Sequence, residues 1–320
     1  MSRPKTSPFA IDAVEEYLRT KQAREPKTYA AYRGLLLGSD RGTKRPLGLP
    51  FAPYFHNRRL HTLTYDDVVQ WFTQRVSGAA EDTKHRMSKC TRAFLRFAQQ
   101  RGYTELDLAS VIQAFPAGEP RRDWLEWPEV HRLIATITEF RLRLAVTWLF
   151  YSGCRVGEAI AANQSDLRYM SEIGLYGWSI PKTKTHTARH VWLPEKLSPL
   201  IEESRRLNNP RPEWPILWDH QGRGFGRVEN PAARTSPRAI NGALDRARDA
   251  AGLQTKVTAH VARHTYATNW IKEEGSGEHS MEKLARQLGT SVATLRATYV
   301  HVRYEDADWA HIRSFGSDLR

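Results

Sequence analysis

A break in helical periodicity at residues 114–123 divides this sequence into two parts. The segment reads AFPAGEPRRD, in which proline, glycine and charged residues replace the regular apolar spacing found on either side. Such a composition is typical of a linker, and 320 residues are enough for two domains that each bury a core. The sequence therefore predicts one domain over residues 1–115, a linker over 116–123 and a second domain over 124–320.

The first part has the apolar spacing of helices over residues 8–115. Thr64, with Asp67 three residues later, is typical of a helix start. The longest helix is predicted over Glu81–Arg101, and its inward residues are expected to be Met87, Cys90, Phe94, Phe97 and Ala98. Its remaining positions carry Lys84, His85, Arg86, Lys89, Arg92 and Arg96. These basic residues form either an ordinary solvated face or a surface that follows nucleic-acid phosphates.

The second part combines helices with a short hairpin. Residues 141–151, RLRLAVTWLFY, are apolar on nearly every side and predict a buried helix. Two β-type runs, LYGWSI at 175–180 and HVWLP at 190–194, flank the basic stretch PKTKTHTAR. The rest of the chain again has helical spacing, so the predicted fold is mainly α with a small antiparallel β-sheet.

The charge of the chain favours a polyanionic partner. The formal net charge is +13, and each Lys or Arg set against a phosphate releases a bound counterion. Solubility alone and attraction to an anionic membrane are the alternatives, but no apolar run approaches the roughly 20 residues that span a bilayer. The first residues lack an apolar signal core, and the two cysteines, Cys90 and Cys154, form no CxxC pair. We expect a cytoplasmic protein without a membrane partner.

Two segments place chemically useful side chains close together. Arg155, in YSGCRVGE, follows a glycine and could direct its guanidinium at a phosphate, or could pair with Glu158 as a structural ion pair. In HVARHTYATNWI, His260 shares a helix face with Arg263 or His264. Histidines four apart also bind zinc, but the glutamate expected between them is absent and an arginine would repel the cation. The sequence therefore predicts no metal site here.

Two further features are ambiguous when taken alone. Lys182 and Lys184 lie in the predicted hairpin turn, where a lysine either donates a proton in a groove or is simply solvated. Tyr299 lies in ATYVHV, and a tyrosine with apolar neighbours is far more often a core residue than a nucleophile.

Four segments together resemble the tyrosine recombinase, or phage integrase, family of site-specific recombinases. SGCRVGEAIAANQSDL is similar to the family's first signature box, HVARHTYAT to its His-x-x-Arg-His box and LGTSVATLRATYVH to its Leu-Gly-His…Tyr-x-His box. The stretch KTKTHTARHVWLP occupies the place of the family's catalytic-lysine turn. The likeness is strong over residues 124–301. It implies an α+β catalytic domain after a helical, SAM-like core-binding domain.

The resemblance implies an enzyme that cleaves and rejoins DNA strands without a metal or other cofactor. Tyr299 would form a 3′-phosphotyrosyl link, and because tyrosine has a reference pKa of about 10, it would need a cationic site or a base. Arg155 and Arg263 would hold the non-bridging phosphate oxygens, where the transition state spreads its negative charge. His260 would donate a hydrogen bond or act as the base. Lys184 would protonate the leaving 5′-oxygen.

The resemblance also sorts the remaining candidates. Lys184 is preferred to Lys182 because it stands in a Thr-Lys-Thr turn of the kind the family uses. Glu158 would orient the site, His264 would serve structural packing, and His301 matches the family's Tyr-x-His, with a structural role.

One position departs from the family pattern. Thr290 stands nine residues before Tyr299, where the family has histidine or sometimes tryptophan. A threonine hydroxyl can donate a hydrogen bond to phosphate but carries no charge. The substitution is a tolerated variant, a cause of slower catalysis, or one for which a nearby residue such as His279 substitutes.

Two other functions and several partners follow from the same resemblance. The alternatives are a sequence-specific DNA-binding protein that does not cleave and a relaxing enzyme of the type IB topoisomerase kind. The expected partners are double-stranded DNA and three further copies of this chain, as a homo-tetramer on two duplexes. A directionality factor or an accessory DNA-bending protein is also compatible with the family.

Overall fold

The computed structural model describes residues 7–22, 26–38, 48–117, 123–181, 188–219 and 233–306. The chain divides into two compact units, Met1–Pro120 and Arg121–Arg320, and this division falls inside the segment predicted as a linker. Within the described ranges, the predicted mainly α fold with a small antiparallel sheet is confirmed. No helix in these ranges is long and apolar enough to cross a membrane.

The first unit is helical in its described part. Its α-helices are α1 (Ala10–Gln22), α2 (Pro26–Leu36), α3 (Phe51–Tyr54), α4 (Tyr65–Val76) and α5 (Glu81–Gln100). Thr64 caps α4 as predicted: its side chain accepts a hydrogen bond from the Asp67 N–H, and Asp67 Oδ2 accepts one from the Thr64 N–H at 2.9 Å. This reciprocal pair satisfies two backbone donors that the first turn of a helix leaves without partners.

Helix α5 has the two faces that its sequence predicts. Its buried residues include Met87, Cys90, Phe94 and Ala98, and Phe97 packs against the same core while partly exposed. Three of its basic residues, Arg86, Lys89 and Arg96, are exposed. The apolar stripe thus anchors the helix, and its outer face carries positive charge.

Five helices of the second unit pack around one buried helix, Phe140–Ser152 (α7). The helices in the described part of this unit are α6 (Trp127–Ala135), α7 (Phe140–Ser152), α8 (Val156–Ala161), α9 (Ser198–Asn208), α10 (Pro237–Ala250), α11 (Ala259–Glu274), α12 (Glu278–Leu288) and α13 (Val292–Asp306). Every residue of α7 from Leu144 to Ser152 is buried. Helix α7 contacts α6, α8, α9, α10 and α11, which explains why its sequence is apolar on all sides.

The sheet of the described residues has strands β1 (Leu167–Met170), β2 (Leu175–Ile180) and β3 (Arg189–Leu193) in the order β1-β2-β3. Both pairs are antiparallel, with Trp178 opposite Leu167 on one side and Val191 on the other. The hairpin of β2 and β3 confirms the prediction, whereas β1 was not predicted. Its four residues include the exposed Arg168 and Tyr169, so the strand has no clear alternation of apolar and polar residues.

A left-handed glycine ends α7 just before the candidate site. Gly153 has φ 64° and lies against Leu288 and Tyr266; a Cβ built there would be 2.6 Å from a carbon of each. Both neighbours are buried, so an added Cβ would have to displace packed side chains.

We expect Gly153→Ala to lower the free energy of unfolding by about 1–3 kcal/mol more than Gly252→Ala does, because it adds overpacking to backbone strain. Gly252 is the matched control: its φ is 66°, and nothing lies within 4 Å of its added Cβ. Chemical denaturation of both variants measures the difference. Equal losses would show that the contacts with Leu288 and Tyr266 relax at no cost.

Candidate active site

Arg155 lies at the start of α8, held by a carboxylate one turn further on. Glu158 Oε2 accepts the Arg155 backbone N–H at 2.9 Å, and Glu158 Oε1 accepts from Arg155 Nη1 at 3.2 Å. The Arg155 side chain remains 36% exposed, whereas that of Glu158 is 5% exposed. The ion pair considered from the sequence is therefore present, and the guanidinium remains accessible to a ligand.

A third residue, Arg189 at the start of β3, binds the other side of this carboxylate. Its Nη2 donates to Glu158 Oε2 at 2.8 Å and its Nη1 to Oε1 at 3.1 Å. Burial alone would raise the pKa of Glu158, but the hydrogen bonds from Arg189 and from the Arg155 N–H outweigh it and hold the pKa below its usual value. Glu158 is thus ionised and joins two arginines.

Three arginines converge on the carboxyl end of α12. They donate to three successive backbone carbonyls: Arg189 Nε to Gln287 O at 3.3 Å, Arg263 Nη1 to Leu288 O at 2.9 Å, and both terminal nitrogens of Arg155 to Gly289 O at 3.3 Å. The end of a helix leaves such carbonyls without intrahelical partners and carries partial negative charge. The helix end therefore holds three cations in one place.

Arg263 is the most enclosed of the site cations that the sequence predicts. It comes from α11, is 8% exposed, and also donates from Nη1 to Gly153 O at 3.0 Å. Burial and the nearby charge of Arg155 lower its pKa to about 10, so it stays positively charged at neutral pH. Among the described residues, Nε and Nη2 have no hydrogen-bond acceptor, which leaves them able to bind an anion.

His260 lies one turn before His264 on α11, on the exposed side of that helix. Its pKa lies below the usual histidine value because the surrounding protein partly desolvates the ring, and because Arg263 and Arg155 repel the charged form. At neutral pH the ring is therefore uncharged and can make one hydrogen bond as donor and one as acceptor.

Tyr299 is buried at a kink in α13 and contacts His264. Its backbone angles, φ −114° and ψ 15°, depart from helical values inside α13. Its hydroxyl lies 2.9 Å from Nδ1 of His264, and the two residues are 6% and 9% exposed. Burial raises the pKa of Tyr299 to about 12, although the charge of Arg263 acts in the opposite direction. The phenol is thus protonated at neutral pH.

Thr290 follows the end of α12 and lines an open groove of about 940 Å³ with Arg189, His190 and Gly289. Its backbone N–H donates to Ala285 O at 3.1 Å, which closes the last turn of the helix. His279, at the other end of α12, is about 15 Å away along the axis at 1.5 Å per residue. The sequence-based suggestion that His279 substitutes for the missing histidine is therefore wrong on geometric grounds.

The structure brings together seven of the residues that the sequence singles out: Arg155, Glu158, His260, Arg263, His264, Thr290 and Tyr299. Lys182 and Lys184 lie outside the described residues, and only the backbone of His301 is described. Their predicted roles stay predictions. Among the described residues, no group of three His, Cys, Asp or Glu side chains is placed to hold a metal ion.

Two contacts of the site were not anticipated. Arg189 is the last residue of the basic stretch PKTKTHTAR and the first residue of β3, but the sequence alone does not indicate that it binds Glu158. The resemblance predicts a packing role for His264, whereas in the structure it hydrogen-bonds the candidate nucleophile. Both contacts join residues more than 30 positions apart.

Comparison with known proteins assigns the family. The model of the phage integrase family matches residues 123–306, which is more than half of the chain. The chain belongs to the phage integrase family. It is a tyrosine-type site-specific DNA recombinase, as the signature boxes predict. The match covers every candidate site residue named above.

Relatives and solved structures agree with this assignment. Tyrosine recombinase XerC from Chlamydia trachomatis serovar L2 is 24% identical over 277 residues, which is 82% of this integrase-family chain and 81% of the relative. A lambda integrase dimer bound to a COC′ core site matches with TM-score 0.68 and 17% identity, covering 94% and 79% of the two chains. The XerH recombinase bound to its difH substrate gives TM-score 0.63 and 17% identity, covering 94% and 83%. The structural likenesses establish the fold.

Proposed function

We propose that this recombinase cleaves duplex DNA with Tyr299 and rejoins the ends in a new partner strand. The phenol oxygen attacks the scissile phosphorus, forms a 3′-phosphotyrosyl link and releases a 5′-hydroxyl. The observation that carries this proposal is the convergence of Arg155 and Arg263 on one helix end, with Tyr299 close enough to Arg263 for its charge to act on the phenol. Two cations beside one nucleophile suit an anionic phosphoryl transition state.

Five residues of the candidate site have defined parts in the proposed reaction. Arg155, partly exposed, and Arg263, with two nitrogens free of described partners, bind the non-bridging oxygens. His260, uncharged at neutral pH, hydrogen-bonds a phosphate oxygen. Glu158 keeps Arg155 in place, and Thr290 offers a hydroxyl where the family has an imidazole.

Lys184 is proposed as the acid that protonates the leaving 5′-oxygen. This role comes from the resemblance of its turn to the family's catalytic-lysine turn. A cationic lysine on a long flexible stem suits proton delivery to an alkoxide.

The proposed partners are double-stranded DNA and other copies of the chain. Relatives of the same fold are described as bound to DNA, one of them as a lambda integrase tetramer on a Holliday junction. The net charge of +13 and the exposed Arg86, Lys89 and Arg96 of α5 suit binding along phosphates. We propose a cytoplasmic homo-tetramer on two duplexes, which a directionality factor or an accessory DNA-bending protein can assist.

A suicide substrate tests the cleavage step. DNA carrying the native recombination site, nicked so that the fragment with the 5′-hydroxyl diffuses away, is expected to trap a covalent protein–DNA adduct. Tyr299→Phe keeps the ring but removes the attacking oxygen, so the adduct should disappear while DNA binding persists. Denaturing electrophoresis with end-labelled DNA gives the readout.

The remaining outcomes separate the alternatives. Tight DNA binding by the wild-type chain without an adduct favours the non-cleaving DNA-binding protein. An adduct with relaxation of supercoiled DNA, but without strand exchange between two duplexes, favours the topoisomerase-like activity. An adduct that survives in Tyr299→Phe would assign the nucleophile to another residue.

A further inference from the structure

We propose that His264, rather than His260, accepts the proton of Tyr299 when the phenol attacks DNA. This inference depends on the proposed role of Tyr299 as the nucleophile. It rests on a direct contact, because the Tyr299 hydroxyl oxygen lies 2.9 Å from Nδ1 of His264 and both residues are buried. A general base needs this kind of hydrogen-bond reach to the proton that it removes.

His260 is worse placed for the same task. Within the described residues it makes no hydrogen bond to Tyr299, and it stands on the exposed side of α11. Its ring meets that of His264 edge to face, with 4.5 Å between the ring centroids. His264 therefore lies in direct contact with both His260 and Tyr299, and His260 remains available to the phosphate.

Charged and titratable groups surround this pair. Among the described residues, Arg263 acts by its charge on Tyr299, and the ring of His260 contacts that of His264. Arg155, Glu158 and Cys154 act in turn on Arg263, Arg189 binds Glu158, and Tyr266 lies in the same apolar cluster as Tyr299. The phosphate of bound DNA adds negative charge at this place and makes a transient imidazolium more favourable.

One proton transfer accompanies the exchange of bonds at phosphorus. The O–H bond of Tyr299 breaks and its proton moves to His264 Nδ1, which becomes an imidazolium. The phenol oxygen forms a bond to the scissile phosphorus, and the bond from phosphorus to the 5′-oxygen breaks. The leaving oxygen takes a proton from the acid, the role proposed for Lys184. In the rejoining reaction His264 returns its proton to the departing Tyr299 oxygen.

The first test compares cleavage rates in single-turnover reactions on the suicide substrate. His264→Gln keeps a hydrogen-bond acceptor but cannot hold a proton, so we expect about a 10²-fold slower cleavage at neutral pH. The wild-type rate should level off once His264 is neutral, whereas the variant rate should continue to rise with pH. His279→Gln, at the far end of α12, is the matched control and should cleave at the wild-type rate.

A more acidic nucleophile separates proton transfer from structural damage. With 3,5-difluorotyrosine at position 299, the phenol loses its proton more easily, so His264→Gln should recover much of its rate. A variant that is only misfolded would gain nothing from this change. Unchanged cleavage in His264→Gln overturns the proposal. Faster cleavage by His264→Gln also overturns it, because the hydrogen bond from Tyr299 to His264 would then slow the attack on DNA.

A second measurement does not depend on cleavage. In ¹⁵N-histidine NMR spectra of the DNA-free chain, Nδ1 of His264 should be the unprotonated, hydrogen-bonded nitrogen, and its shift should change in Tyr299→Phe. A proton on Nδ1 overturns the inference whatever the activity. Absence of any adduct with the wild-type chain, together with the expected spectrum, would instead count against the proposed nucleophile.

Discussion

Arg263→Ala is expected to lower the rate of strand cleavage by about 10³-fold, the upper range for loss of one preorganised donor to a developing anion. The residue is buried, charged at neutral pH, and fixed by two backbone carbonyls through Nη1. In the proposed reaction it would therefore meet the transition state without reorganising, and its burial would keep solvent from replacing it. Single-turnover cleavage of the suicide substrate at fixed salt concentration gives the rate.

Two controls separate catalysis from folding in that experiment. Arg263→Lys keeps a positive charge but loses the fork that serves both the carbonyls and a phosphate, so it should recover only a small part of the rate. A methylphosphonate at the cleavage position carries no charge on the scissile group. On this substrate, the difference in cleavage rate between Arg263→Ala and the wild type should therefore be smaller. An equal difference on both substrates would mean that Arg263 supports the fold rather than the phosphate.

Arg189→Met is expected to lower the free energy of unfolding by about 3 kcal/mol, because it removes one partner of a buried ion pair. The carboxylate of Glu158 would retain only the contacts with Arg155, whose side chain is 36% exposed. Chemical denaturation at neutral pH measures the loss.

A second substitution tests whether the unpaired charge of Glu158 causes this loss of stability. Adding Glu158→Gln to Arg189→Met removes the unpaired charge and should recover most of the stability. Arg286→Met is the matched control on α12, since Arg286 is 79% exposed and its pair with Glu282 spans 3.6 Å; it should cost under about 1 kcal/mol. A loss no larger for Arg189→Met than for Arg286→Met would show that Glu158 is satisfied without Arg189.

Features that depend on neighbours in the sequence were predictable. The capping pair of Thr64 and Asp67, the all-round burial of α7 and the strands β2 and β3 each follow from residues within one short window. The signature boxes also predict that Arg155 and Arg263 act together, and in the structure the charge of Arg155 acts on Arg263. Local periodicity and spacing contain this information.

Features that depend on the meeting of distant segments were not predictable. Arg189 lies 31 positions after Glu158, and Tyr299 lies 35 positions after His264. Nothing in either segment alone distinguishes a buried ion pair from a solvated arginine, or a phenol partner from a packing histidine. The burial of Tyr299 likewise arises from α11, α12 and α13 together. Such contacts require the tertiary structure.

The carboxyl end of α12 gives the three arginines a common mechanical support. Their donors reach three consecutive carbonyls, so a displacement of this helix by a fraction of a turn would lengthen all three sets of hydrogen bonds at once. Packed interfaces change between discrete arrangements rather than deform continuously. A partner that displaced α12 would therefore change the positions of all three arginines at once. The candidate active site would then gain or lose its cations together, rather than one residue at a time.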